Sequence, residues 1–433
     1  MNMQALTRRR GRAGRYAAAA LGTGAVVLAL GAFTPAAAQA AAPATLYVSP
    51  GGLDSGTCPL ASPCATVSYA LTQAASGATI NVTGTIKDHL TITSPVTITA
   101  WPGHPPAVLD GTATGATVVS VVRGVTGVTL HDLTIQNSGE GGIGNSGALT
   151  LTDSTVSGNP EGGIANDSTG TMTIIDSTIS GNTSTFSASA GIGNAGMMTV
   201  IASTIAGNTA GAGISTGAGV ITLGATIVAG NTAGNCIGAA SQYASAGYNL
   251  TDDSTGTACG FVQSTDLVNK NPLLGSLASN GGPTQTMLPG TKSPAANVIP
   301  KPTTLRGVTV CPGTDQRGVA RPGHGETGCT IGAAEAALNI ATTTSVNLNP
   351  ATVTSGTRVA YEAVVTPKSG TGTPTGTITF TTGSTTLCTA VLSGGVAACG
   401  ATNAPAGTDT VTGKYSGGGG FASSSGTATL TVT

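Results

Sequence analysis

LTDSTVSGN at 151–159 returns as IIDSTISGN at 174–182, VIASTIAGN at 200–208 and LGATIVAGN at 223–231. The closing asparagines, Asn159, Asn182, Asn208 and Asn231, stand 23, 26 and 23 residues apart, and a looser copy, LHDLTIQNS, occupies 130–138. A second shared element precedes each core: GGIGN at 141–145, GGIAN at 162–166, AGIGN at 190–194 and AGIST at 212–216. Apolar residues alternate in short β-type stretches, as at Leu149, Leu151, Ile175 and Ile179, between Gly, Asn and Ser punctuation. A unit this short cannot bury a core alone, so coils must stack. Apolar residues then point inward and ladder onto the next coil about 4.8 Å along the axis. The expectation is an all-β chain built on a right-handed parallel β-helix. Asn159, Asn182, Asn208 and Asn231 would form a structural column, their amides bonded along the axis.

Working outward, IKDHLTITSPVTI and its neighbours supply the first coils: Ile80-Asn81-Val82, Leu90-Thr91-Ile92 and Val96-Thr97-Ile98 read as strands. Residues 64–78, CATVSYALTQAASGA, place Val67, Ala70, Leu71 and Ala74 at helical spacing. A short amphipathic helix there would cap the open end of the solenoid.

Composition agrees. Gly is 66 of 433 residues, charged residues are 8% and aromatics 3%, yet hydrophobic residues reach 39%. That hydrophobic content is not a disordered profile. A net charge of −1 offers no basic face for nucleic acid. Small-residue turns account for the glycine, and aliphatic ladders for a core nearly free of Phe and Trp.

The N-terminus reads as an export signal. Arg8, Arg9, Arg10, Arg12 and Arg15 precede an apolar run from Ala17 to Phe33 and the small-x-small pattern Ala38-Gln39-Ala40. The run is short for a membrane span. The Arg8-Arg9 pair leaves Sec and twin-arginine export both open. Cleavage after residue 40 leaves 11 Lys and Arg against 17 Asp and Glu, a mildly acidic secreted or surface protein with no remaining membrane span. Export makes disulfides the default for Cys58, Cys64, Cys236, Cys259, Cys311, Cys329, Cys388 and Cys399. Pairing in sequence order is the expectation. No C-x-x-C or Cys/His metal spacing appears.

The repeats resemble exported bacterial β-helix proteins with polymorphic-outer-membrane-type GGxxN repeats. After them come GYNL at 247–250, NPLLG at 271–275, NGGPTQT at 280–286, LPGTKSPA at 288–295, DQRGVARP at 315–322 and CTIGAAE at 329–335. These look like the closing region of the choice-of-anchor Q β-helix family, from which the chain departs at Thr330, Ala334 and Met287. The resemblance implies exported architecture and brings no catalytic residues. Asp315, Arg317, Arg321 and Glu335 suggest an ion-pair cluster closing the last coil, with Cys311 and Cys329 bracketing it. Residues 338–433 change character to strands with turn signals every 8–12 residues, the pattern of an immunoglobulin-like sandwich. PTGTITF at 374–380 resembles bacterial Ig-like repeats, although Gly418–Gly420 stand where relatives carry an acidic stretch. A hairpin turning at Ser393-Gly394 would set Cys388 opposite Cys399 with Cα atoms about 4.5–5.5 Å apart. The domain expectation is thus 1–40 signal peptide, 41–337 β-helix with its cap and closing region, and 338–433 Ig-like.

Chemistry is sparser. Asp132, Asp153 and Asp176 occupy one repeat position in successive coils, continued by Ala202 and Ala225. Three stacked carboxylates are a candidate catalytic set or Ca2+ site, since glycan-cleaving enzymes use such groups. Turn-forming Asp on a solvated corner is the simpler reading and the one expected. A basic partner is missing locally, because Arg123 is the only Lys or Arg between Lys87 and Lys270. Lys87-Asp88-His89 reads as a solvated turn, and His104, His131 and His324 carry no motif spacing. The expected function is non-catalytic adhesion to an extracellular glycan or protein, with no cofactor. The alternatives are a polysaccharide lyase or glycoside hydrolase using the Asp132/Asp153/Asp176 face, and a purely structural spacer.

Overall fold

The computed structural model describes residues 44–112, 115–184, 188–323, 326–336, 340–368, 373–418 and 420–433. The expected signal peptide at 1–40 and His324 lie outside these. No helix among the described residues is long and apolar enough to cross a membrane.

The repeats build a parallel solenoid of three sheets. Each coil contributes one strand to each in turn: Ala148–Thr152 to the first sheet, Thr155–Ser157 to the second, Ile164–Asn166 to the third, and then Thr171–Ile175 to the first again. Among the described residues the sheets hold nine, eight and seven strands, all in parallel register. Leu149, Leu151, Ile174, Ile179, Ile192 and Val200 point inward and are at most 2% exposed. Ile175 differs from its expected inward position. It pairs with Thr152 and Ile201 at the outward end of the first sheet and is half-buried. Alternation runs through Met172 and Ile174 instead, and the chain turns the corner immediately after Ile175.

Among the described residues the one α-helix is Val67–Gln73, capped by Thr66, whose hydroxyl accepts from the Tyr69 amide. Val67 and Ala70 bury against the first coils. Lys87-Asp88-His89 is not simply a solvated turn. Asp88 is 6% exposed and accepts from the Ser68 amide at 2.7 Å, fastening the helix start to the coil below.

Two asparagine ladders brace the bends. The Asn159 amide donates to Asn182 Oδ1 at 2.9 Å, Asn182 to Asn208 at 3.0 Å, Asn208 to Asn231 at 2.9 Å, and Asn231 to Asn235 at 2.9 Å. A second ladder links Asn145 to Asn166 and Asn166 to Asn194, each at 2.8 Å. Every one of these buried amides also bonds backbone, which is what makes a polar column affordable inside the wall.

Residues 272–336 fold back as a strap along the second sheet. Ile299, Leu305, Val310, Cys311 and Ile331 join Ile201, Ala225, Ile227 and Leu250 in a core of their own. The strap thereby covers outward side chains that a solenoid normally leaves to solvent.

From residue 340 the chain forms a sandwich. One sheet holds Thr342–Asn349, Val359–Pro367 and Val396–Ala401; the other holds Thr352–Val353, Thr377–Thr382, Thr385–Val391, Gly407–Tyr415 and Ser424–Val432. Tyr361, Phe380, Val411 and Tyr415 fill it. The structure joins Cys58 to Cys64, Cys236 to Cys259, Cys311 to Cys329 and Cys388 to Cys399. The last pair does not close the expected hairpin. Thr385–Val391 pairs with Thr377–Thr382, and Val396–Ala401 pairs with Val359–Pro367, so the bond ties one sheet to the other across 6.3 Å between Cα atoms. The turn at 393–396 is real, with the Ser393 amide donating to Val396, but the strands part after it.

Candidate functional site

The aspartate column sits at the corner between the first and second sheets. Asp132, Asp153, Asp176, Ala202 and Ala225 all take left-handed backbone, with φ of 57°, 50°, 43°, 49° and 50°. Short side chains that bond locally tolerate that conformation best, which favours Asp here before any chemistry is invoked.

The corner is not the solvated array expected from sequence. His131, which has no motif spacing, lies between two coils. Its Nε2 is 3.1 Å from Asp132 Oδ2, and its Nδ1 is 3.3 Å from Asp153 Oδ2 and 2.9 Å from Thr152 Oγ1. Hydrogen bonds from the ring to Asp132 and Asp153 raise its pKa to about 10, against a smaller opposing effect of burial. It is therefore an imidazolium at neutral pH, clamped between two carboxylates. The ligating atoms of His131, Asp132 and Asp153 lie within 4.8 Å of one another, the one such group among the described residues that could hold a metal ion.

Asp176 is separated from that cluster by a partner that the local sequence lacks. Arg321, on the strap, places Nη2 2.9 Å from Asp176 Oδ1 and Nη1 3.2 Å from Glu335 Oε1. Its side chain is 1% exposed and also donates to the carbonyls of Thr314, Thr330 and Gly332. Arg317 pairs with Asp315 at 2.6 Å, and Asp315 accepts from the Glu335 amide at 2.8 Å. Thr330 donates both its amide and its hydroxyl to Glu335. Three carboxylates thus share two guanidiniums. Burial pushes the Asp176 pKa up to about 7 despite Arg321, and Asp153 adds to the rise. Arg321 is itself held above its usual range by the carboxylates around it, which outweigh its burial.

The strap grips the same corner with neutral groups. Thr284 donates to the Asp153 carbonyl at 3.0 Å, Gln316 to Thr155 Oγ1 at 2.9 Å, and Thr178 to Gln316 at 2.6 Å.

Beside Asp132 opens a shallow cleft of about 370 Å³, lined by Trp101, His104, Pro106, Asp132 and Pro283. Trp101, the only tryptophan in the chain, stacks on His104 at 4.0 Å and meets Tyr47 at 4.8 Å. The arrangement gives an aromatic wall facing a carboxylate and the strap.

Comparison with known proteins adds one domain. Residues 346–433 match the family described as Bacterial Ig-like domain (group 3). No curated protein matches the chain. Among solved structures, a pectin methylesterase in complex with hexasaccharide VII is similar at 12% identity and a TM-score of 0.32, over 48% of this chain and 71% of that one. At that level the likeness says nothing about chemistry.

Proposed function

We propose that the chain is an exported, non-catalytic binding protein of the cell surface or matrix. In this reading the solenoid engages an extracellular glycan or protein, and the Ig-like module acts as spacer or second contact. The Ig-like match and the four disulfides are compatible with an extracellular site. The likeness of 247–335 to the choice-of-anchor Q closing region agrees. The observation that carries the non-catalytic reading is the pairing of the column: Asp132 and Asp153 are held by His131, and Asp176 by Arg321. A carboxylate committed to an internal cation is poorly placed to serve as a free acid, base or nucleophile. The cleft at Trp101 supplies a contact of the kind binding sites use, an apolar wall with a few polar groups. A glycan array with the intact protein and with Trp101→Ala tests this. Binding lost in the variant is the expected result, and binding unchanged would remove the cleft from the account.

The second reading, a lyase or hydrolase on an acidic glycan, is favoured by the close approach of His131, Asp132 and Asp153. Release of reducing ends or unsaturated products from polygalacturonate, abolished by Asp132→Asn, would establish it.

A further inference from the structure

The outward face of the first sheet carries a single uniform column. Thr45, Thr79, Thr97, Thr129, Thr150, Thr173, Thr199 and Thr222 pair successively in register, with no bulge between them. At 4.7–4.9 Å per strand the rank runs about 34 Å. The neighbouring outward column of the same strands is mixed: Tyr47, Asn81, Thr99, His131, Thr152, Ile175 and Ile201. On the other side stand Ala148, Thr171, Met197 and Val220. β-Propensity therefore does not account for the rank, since adjoining sites in the same strands accept other residues.

Nor do the hydroxyls serve the protein. Thr222 receives a long contact from Arg306 at 3.5 Å. The hydroxyls of Thr79, Thr97, Thr129, Thr150, Thr173 and Thr199 have no hydrogen-bond partner among the described residues. In the sandwich, by contrast, Thr343 and Thr366 bond each other at 2.7 Å. The six are half-exposed, and each side chain carries one methyl and one hydroxyl. Apart from His131 at the corner, the outward positions of these strands are uncharged.

We propose that this face binds ice. A rigid rank of hydroxyls and methyls repeating at the strand spacing holds water at intervals close to the oxygen repeat of an ice surface. Thr171 and Thr173 extend it sideways by two residues along a strand, about 6.6 Å. An uncharged face suits an uncharged lattice; a charge would hold its own hydration shell and break the order. The coils are fixed in register by two asparagine ladders, so the pattern exists before contact and little entropy is lost on binding.

The test is ice recrystallisation inhibition and thermal hysteresis with the purified, disulfide-intact chain. Thr150→Lys with Thr173→Lys should abolish most of the activity. Thr150→Val with Thr173→Val, which keeps shape and removes only hydroxyls, should reduce it and guards against misfolding of the lysine variant. Thr410→Lys, exposed on the sandwich, should leave it unchanged. No effect on ice by a protein with a normal melt, or equal activity in all variants, would overturn the proposal. Retention on crystalline cellulose or chitin without any effect on ice would overturn it equally, and would hand the face to a different ligand.

Discussion

Arg321 Nη2 lies 2.9 Å from Asp176 Oδ1 across 145 residues of chain. The contact pins the strap to the solenoid corner and gives the last member of the aspartate column a cation that it shares with Glu335. Arg321→Ala should leave Asp176 and Glu335 without their cation inside the interface. Breaking a buried pair from one side costs about 3–5 kcal/mol. A lowered melting temperature and faster proteolysis within 272–336 are expected, and a melt unchanged from wild type would show that the strap is held by its apolar contacts alone.

Stability should fall as pH rises. Asp176 and His131 have folded pKa values above their ordinary ones, about 7 against 3.8 and about 10 against 6.5. The folded state therefore holds both protons more tightly than the unfolded chain does. Each contribution is complete below the ordinary value and is lost as pH climbs through the folded one. Calorimetric melting between pH 5 and 10 should show two declines. Asp176→Asn should flatten the first, and His131→Gln the second. A melting temperature that rises across this range would contradict both assignments.

The inner ladder should be intolerant of charge. Ile179 is fully buried in the second sheet. Ile179→Asp places an unpaired carboxylate there, at a cost of several kcal/mol, and soluble protein should be lost. Normal yield with an unchanged far-UV spectrum would refute the inward placement.

Non-reducing peptide mapping of the protein produced under oxidising conditions should return the pairs 58–64, 236–259, 311–329 and 388–399. Free thiols at Cys388 and Cys399 would mean that the two sheets of the sandwich hold without their bridge.

The solenoid was readable because its signal repeats: a nine-residue core ending in Asn fixes both coil length and inward face. Asn145, Asn166 and Asn194 close GGIGN, GGIAN and AGIGN, so the repeats carry the second ladder in their sequence too. His131 was legible in principle too. It stands one residue before Asp132, and a one-coil step brings Asp153 beside it. The cluster of Asp315, Arg317, Arg321 and Glu335 was legible in DQRGVARP and CTIGAAE and forms as expected, but the reach of Arg321 to Asp176 was not, because a strap's docking position is set by tertiary packing over a long chain separation. The Cys388–Cys399 hairpin failed for a related reason: alternation and a turn mark two strands but do not say that the chain crosses from one sheet to the other.

In the proposed reading the aspartate column is held by the protein's own cations, His131 and Arg321, rather than by a metal ion. Calorimetric melting with Ca2+ and with chelator, for the wild type and for Asp132→Asn/Asp153→Asn/Asp176→Asn, tests it most directly. A ligand that binds only the folded state raises the melting temperature. The same melting temperature with Ca2+ and with chelator is expected in both proteins. A Ca2+-dependent rise in the wild type that vanishes in the triple variant would contradict it.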